Sequence, residues 1–176
     1  GIFAAMELTR TTSPRVLILD KGPDLDKRRC PSREKGRCMK CPTCALLTGW
    51  GGSGAFSDGK LTLTTQVGGL LAEIRGQEEA EHLVREVDAL WVRYGAQGQP
   101  YSGDLDRIEE ISRRAALAGL RLQHYPIRHL GTEHSGDILG AMYRELQDRD
   151  VEIRTRTEVA RVLTENGSVT GVHTTR

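Results

Sequence analysis

The chain has 176 residues, with 25 Lys and Arg against 24 Asp and Glu, so its net charge of +1 points neither to nucleic acid nor to an anionic membrane surface. Charged residues make up 28% and Val, Ile and Leu recur throughout, which excludes a disordered type, and no run approaches the ~18 apolar residues of a membrane span. Its four cysteines, with no basic leader ahead of them, read as reduced thiols or metal ligands, and the expected compartment is the cytoplasm.

In chain order, Ile2 to Arg10 has helical character and Thr11-Thr12-Ser13-Pro14 breaks it. Arg15 to Asp20 is a continuous apolar run, as expected of a strand buried on both faces of a parallel sheet. Lys21 to Gly59 is polar, rich in cysteine and glycine, and long for a loop without a function or a ligand to order it. Lys60 to Thr65 alternates, with Leu61 and Leu63 on one face. Ala80, Leu83, Val84, Val87, Leu90, Trp91 and Tyr94 follow helical spacing, and Leu105, Ile108, Ile111 and Ala115 mark a second helix that ends near Gly119. Leu120, Leu122 and His124 then alternate as a strand that Pro126 stops. Ser135-Gly136-Asp137 is expected to cap a third helix carrying Ile138, Leu139, Met142 and Leu146, and Val151 with Ile153 forms a short strand. Asn166-Gly167, flanked by Val159–Leu163 and Ser168–Thr174, is a type I′ hairpin signal. The alternation of helix and strand gives an α/β class with a helical insertion between about residues 70 and 120.

Two stretches carry chemistry. Gly51, Gly52 and Gly54 free the backbone of Gly49–Lys60 to enter φ > 0 and to approach a ligand, while Ser53, Ser57 and Lys60 supply hydroxyls and a cation. This segment reads as an anion-holding loop, with a plain hairpin turn at Asp58-Gly59 as the lesser reading. Directly upstream, Cys30, Cys38, Cys41 and Cys44 include a C-x-x-C-x-x-C spacing that lets a turn aim successive sulfurs at one ion. Tetrahedral zinc and an iron–sulfur cluster both fit four thiolates, and four reduced cysteines are the third reading. Gly1 ahead of a helix, a buried strand, and Asp20 placed 19 residues on suit the end of a G-x-G-x-x-G dinucleotide fingerprint and its ribose-binding acid. The plainer reading of Asp20 is a strand-end residue that caps the next turn.

Taken together and in order, Gly1-Ile2-Phe3-Ala4-Ala5, Val16 to Gly22, Arg29-Cys30-Pro31, Gly49 to Leu61 and Arg128-His129-Leu130-Gly131-Thr132 resemble the bacterial FAD-dependent dehydrogenases of the glutathione-reductase-type flavoprotein superfamily. The resemblance implies a partial Rossmann-like FAD/NAD(P)-binding domain with a mixed sheet, a helical insertion and a C-terminal β-hairpin. Its implied division is 1–69 as partial FAD-binding domain with the cysteine loop, 70–119 as insertion, and 120–176 as return to the FAD-binding domain. It implies cofactor roles for Gly1, Asp20 with Lys21, the loop residues Gly51, Gly52, Ser53, Gly54, Ser57, Asp58, Gly59 and Lys60, and Val159 beside the adenine. His129 becomes a candidate to face flavin or substrate. The implied protein is an oxidoreductase passing hydride or electrons through FAD to or from a small molecule or carrier, with NAD(P)H a candidate donor, and this chain an internal fragment of it. The alternative class is a non-catalytic zinc or iron–sulfur module on an α/β scaffold.

Overall fold

The computed structural model describes residues 1–12, 14–57, 59–131 and 134–175. The chain is α/β and divides into two compact units, Gly1–Ser57 with Ser135–Arg176, and Asp58–His134.

The first unit opens with helix α1 (Ile2–Thr11) and strand β1 (Leu17–Leu19), followed by the short helix α2 (Ser32–Lys35). After the second unit the chain returns as α6 (His134–Asp148), β4 (Glu152–Arg154) and the hairpin β5 (Val159–Glu165) and β6 (Ser168–Thr174). Between them, the second unit holds β2 (Lys60–Thr62), α3 (Leu71–Arg75), α4 (Gln77–Arg93), α5 (Leu105–Leu117) and β3 (Ile127–His129).

In the first unit β1 and β4 run parallel, pairing Leu17 with Glu152, Ile18 with Ile153 and Leu19 with Arg154. The three sheets are all two-stranded, so β1 is paired along one edge only among the described residues. Leu17 is accordingly 46% exposed, where the apolar run predicts burial on both faces. The core is built by α6, whose Ile138, Leu139, Met142 and Leu146 recur on one stripe and are buried together with Ala5, Met6, Trp50 and Val151. Ser135 does not cap this helix. The helix begins one residue earlier, and Ser135 is buried in its first turn. Arg149, just past α6, donates to the Met6 carbonyl and to Thr9 Oγ1 at 3.3 Å each and ties α1 to the end of the core helix. The hairpin turns at Asn166 and Gly167 with φ of 49° and 77°, the two left-handed residues that a type I′ turn requires.

In the second unit the periodic segments fold as the spacing predicts. α4 begins three residues before Ala80, with Glu78 and Glu79 in its first turn and Arg93 in its last, both favourable to the helix dipole. Asp104 caps α5 by accepting N–H bonds from Asp106 and Arg107 at 3.0 and 3.2 Å. The strand expected at Leu120–His124 does not form. Gly119 takes a left-handed φ of 71°, and the Leu120 N–H is spent on the Ala115 carbonyl at 2.8 Å, which closes the helix instead of opening a strand. The strand follows Pro126, which has no N–H to give but accepts one from Leu63 at 3.0 Å. β3 pairs antiparallel with β2, setting Lys60 opposite His129, and Tyr101 adds a bridge to Ile127.

Arg128, in the middle of β3, is buried, donates to both carboxylate oxygens of Asp88 on α4 (Nη2–Oδ2 2.7 Å) and also bonds the Gly98 carbonyl. The paired carboxylate raises the guanidinium pKa above its usual value. Removing one member of a buried pair strands the other. Asp88→Asn is expected to destabilise the second unit by about 3 kcal/mol, read as a lowered urea midpoint in helical circular dichroism. An unchanged midpoint would show that the pair contributes nothing net.

Candidate functional site

The site grows from the end of β1. Asp20 continues the parallel ladder by donating its N–H to the Arg154 carbonyl at 3.0 Å. Its Oδ1 accepts two backbone N–H bonds, from Gly22 at 2.7 Å and from Gly49 at 2.8 Å. One carboxylate oxygen therefore joins the strand end to the entrance of the glycine-rich segment. Glycine is required on both sides of that junction. A Cβ on Gly22 would lie 2.2 Å from the Gly49 nitrogen, and one on Gly49, at φ 109°, would lie 2.4 Å from the Pro23 carbonyl oxygen.

A second clamp is Arg28, which is buried. It donates to the carbonyls of Ala45 (2.9 Å), Leu46 (2.9 Å) and Trp50 (2.6 Å), and its guanidinium stands 4.6 Å from the centre of the Phe56 ring. Burial lowers its pKa, opposed by the charges of Asp20 and Cys44, and an arginine stays protonated through such a change. Trp50 is buried as well. Its Nε1 donates to the Leu139 carbonyl at 2.8 Å, and its ring meets Tyr143 edge-on at 4.9 Å.

The glycines beyond this point divide by use. Gly51, at φ 82°, packs so closely on Leu139 that a Cβ would approach its Cδ1 to 2.5 Å. Gly52 and Gly54, in the 3₁₀ turn Gly52–Phe56, have no heavy atom within 4 Å of a built Cβ, and neither has Gly1 ahead of α1. At those three positions there is room for a ligand to approach, although the Gly52 N–H is already given to the Gly49 carbonyl at 2.9 Å. Ser53 is exposed, while the Ser57 hydroxyl donates to the Gly54 carbonyl at 2.9 Å.

Because β1 and β4 are parallel, their carboxyl ends open on the same side, the side at which open α/β sheets hold ligands. A cavity of about 400 Å³ lies there, lined by Lys21, Lys27, Arg29 and Arg156 with Glu158 and Thr175 among its other walls. Lys21 forms a 3.9 Å ion pair with Glu158, and Lys27 lies 3.8 Å from Asp24. Arg156 holds a left-handed φ of 52° and is secured by its N–H on the Gly22 carbonyl, while the Thr157 N–H bonds the Asp20 carbonyl, each at 2.8 Å. A non-glycine residue in that region costs of order 1 kcal/mol or more. Val159, next in the chain after Glu158, opens β5 opposite Thr174.

The remaining predicted residues lie elsewhere. Gly59 and Lys60 belong to the second unit, where Gly59 (φ 69°) packs on the Gly131 backbone and accepts the Leu130 N–H at 2.6 Å. Lys60 starts β2 opposite the exposed His129. Asp58 lies outside the described residues.

The metal site predicted from the cysteine spacing is not assembled. All four cysteines are free thiols, and among the described residues no three His, Cys, Asp or Glu side chains converge to hold an ion. The backbone shows why. Cys30 precedes α2, its sulfur 2.9 Å from Ser32 Oγ, whereas the Cys44 carbonyl accepts the N–H groups of Leu47 and Thr48 in a separate turn. Cys38 and Cys41 stand exposed between those two anchors, with no helix or strand to aim them inward.

Sequence reasoning reached Lys21 through the resemblance and gave no binding role to Arg28, Arg29 or Arg156. Arg28 sits at the head of the cysteine-bearing segment and serves carbonyls of the loop. Arg29 and Arg156 reach one cavity only because β1 and β4 pair, and no periodicity marks either of them.

No protein-family model matches the chain, and no curated protein matches it. Among solved structures the chain is similar to L-amino acid deaminase from Proteus vulgaris, with a TM-score of 0.50 and 13% identity over 99% of this chain and 41% of that one. It is also similar to L-amino acid deaminase from Proteus myxofaciens in complex with anthranilate, with a TM-score of 0.42 and 15% identity over 99% of this chain and 40% of that one. The first likeness is one of fold, and the chain spans about 41% of that protein's length.

Two outcomes follow from this geometry. Asp20→Ala leaves the Gly22 and Gly49 N–H groups without their acceptor and is expected to cost roughly 2–4 kcal/mol, with faster hydrogen exchange at both amides. Asp20→Asn keeps an acceptor and should lose less; equal exchange in all three proteins would deny the carboxylate its clamping role. The hydrogen bond from Ser32, aided by the Arg33 charge, lowers the Cys30 thiol pKa. Ser32→Ala should therefore move the pH midpoint of Cys30 alkylation by iodoacetamide upward, followed residue by residue in mass spectrometry.

Proposed function

We propose that the chain is the cofactor-holding part of an FAD-dependent oxidoreductase, a partial Rossmann-like domain of a longer polypeptide. The observation that carries this reading is the cavity at the carboxyl ends of β1 and β4. Lys21 and the segment Arg156–Glu158, far apart in sequence, meet there beside Asp20. The resemblance assigns Asp20 with Lys21, and Val159 next after Glu158, to the adenosine end of FAD, and Arg156 adds a cation there. The likeness of fold to an amino acid deaminase is in keeping with it.

The residues present fit such a group. Asp20 Oδ1 is committed to the backbone, which leaves Oδ2 as the oxygen for a ribose hydroxyl. Lys21, Arg29 and Arg156 oppose the charge of a phosphate-bearing ligand. The room at Gly1, Gly52 and Gly54 lets a pyrophosphate approach the backbone, and the helix N-terminus at Gly1, without a Cβ in the way. Arg28 and Phe56 hold the Gly52–Phe56 turn in shape from beneath. Bound FAD supplies the acceptance and return of a hydride or of single electrons, and the protein supplies orientation and charge. The substrate is a small molecule or an electron carrier, NAD(P)H among the candidates, and the proposed compartment is the cytoplasm.

The test is purification of the natural full-length polypeptide. It should carry FAD, and Lys21→Glu together with Arg156→Glu should reduce flavin occupancy at least tenfold without changing its thermal midpoint when the cofactor is stripped. A full-length protein that is colourless and takes up no added FAD would overturn the proposal.

A further inference from the structure

All four cysteines are free thiols, and the local backbone treats them differently. Cys30 turns its sulfur to Ser32 Oγ at 2.9 Å. Cys38 Sγ accepts the Lys40 N–H at 3.4 Å, and Lys40 takes a left-handed φ of 50° as it makes this bond. Between Cys41 and Cys44 the chain bends at both Pro42 and Thr43, whereas no bend falls between Cys38 and Cys41. In an extended chain, residues three apart lie about 10 Å from Cα to Cα. A disulfide spans at most about 7 Å. The bends therefore favour Cys41 with Cys44 over Cys41 with Cys38.

The two members of that pair are unlike. Cys41 is exposed and follows Lys40 directly, while Cys44 is half-buried and anchored. The Cys44 carbonyl accepts the Leu47 and Thr48 N–H groups at 3.0 and 2.9 Å and the Thr48 hydroxyl at 2.9 Å. Ala45 and Leu46, next in the chain, give their carbonyls to Arg28, whose charge also acts on the Cys44 sulfur. One thiol therefore stands open to a reagent, and the other is held three residues behind it. The surroundings are cationic. Lys35, Arg37 and Lys40 are exposed and make no ion pair among the described residues, and Glu34 is the one acid from Lys27 to Cys44.

We propose that Cys41 and Cys44 are a reversible dithiol–disulfide centre that exchanges with anionic low-molecular-weight disulfides of the glutathione type. The attacking form is a thiolate, and access decides which one attacks, so the exposed Cys41 comes first. Its sulfur bonds one sulfur of the oxidant, forming a mixed disulfide and releasing one thiolate. Cys44 then gives up its proton, attacks Cys41 Sγ, closes the Cys41–Cys44 bond and releases the second thiolate. Two cysteine sulfurs are oxidised, the oxidant is reduced to two thiols, and the two cysteine protons end on those thiols. Excess reduced thiol runs the same steps backward. Lys35, Arg37 and Lys40 draw the anionic oxidant to the segment. The inference stands apart from the cofactor reading and needs no FAD.

The test equilibrates the 176-residue chain, with a chelator and without oxygen, in mixtures of reduced and oxidised glutathione, then alkylates it with iodoacetamide. Trypsin, cutting after Lys40 and Lys60, puts Cys41 and Cys44 on one peptide, apart from Cys30 and Cys38. That peptide should pass from two alkylated thiols to an unalkylated disulfide in a single two-electron transition. Cys44→Ser should instead accumulate glutathione on Cys41. Cys41→Ser should leave Cys44 alkylated, and Cys38→Ser should leave the transition unchanged. Oxidation by glutathione disulfide should slow at least about twofold as salt rises, while oxidation by cystamine, a cationic disulfide, should not slow. Two thiols still alkylated when all the glutathione is oxidised, a disulfide that includes Cys30 or Cys38, or one salt response for both oxidants would overturn the proposal. The unaltered chain decides the matter even if a variant fails to fold.

Discussion

One carboxylate oxygen, Asp20 Oδ1, receives the N–H groups of Gly22 and Gly49 and so closes the long segment between them into a loop of defined entrance and exit. The arrangement depends on glycine at both donors, because neither site has room for a Cβ. Everything in the first unit that bears on binding is referred to this junction. The Gly52–Phe56 turn is placed by it, Trp50 is delivered from it to the α6 core, and the Arg156 backbone bonds back onto Gly22. Arg28 acts as a second fastening. It brings a buried charge to three carbonyls that would otherwise be short of donors. A buried polar network of this kind has value only when each member is satisfied.

Much of the local structure was legible because it follows from local chemistry. Asn166-Gly167 turns the hairpin because those two residues tolerate φ > 0, and the apolar stripes of α4, α5 and α6 declare themselves at helical period. Failures occurred where a neighbouring element claimed the same backbone group. Leu120 has a strand-like pattern, but its N–H is taken by the end of α5, so the pattern never reaches a partner strand. The Arg15–Asp20 run reads as a doubly buried strand, and among the described residues β1 is paired along a single edge.

The site was legible in part, and for a different reason. Asp20 does what the plainer reading allowed, capping the next turn, and the proposed ribose role falls to its other oxygen. Lys21 was reached through resemblance. Arg29 entered only within a motif of the resemblance, with no binding role, and Arg156 was not reached, since their convergence is a product of parallel pairing between strands remote in sequence. The cysteine spacing is a true regularity of the chain, but regular spacing is not convergence: Cys30 and Cys44 belong to separate turns, with Cys38 and Cys41 exposed between them.

The parallel pairing also orders events in time. The second unit is one unbroken stretch of chain, whereas the first is completed only when β4 arrives to meet β1. A nascent chain leaving the ribosome can therefore close the Asp58–His134 unit early, through contacts of modest sequence separation. Until α6 and β4 emerge, Asp20 has no Arg154 carbonyl to bond and Trp50 has no Leu139 carbonyl. The binding segment waits through that interval as an unprotected, thiol-bearing stretch. Its exposure to proteases and oxidants is set by how soon the stretch from α6 to β4 is made.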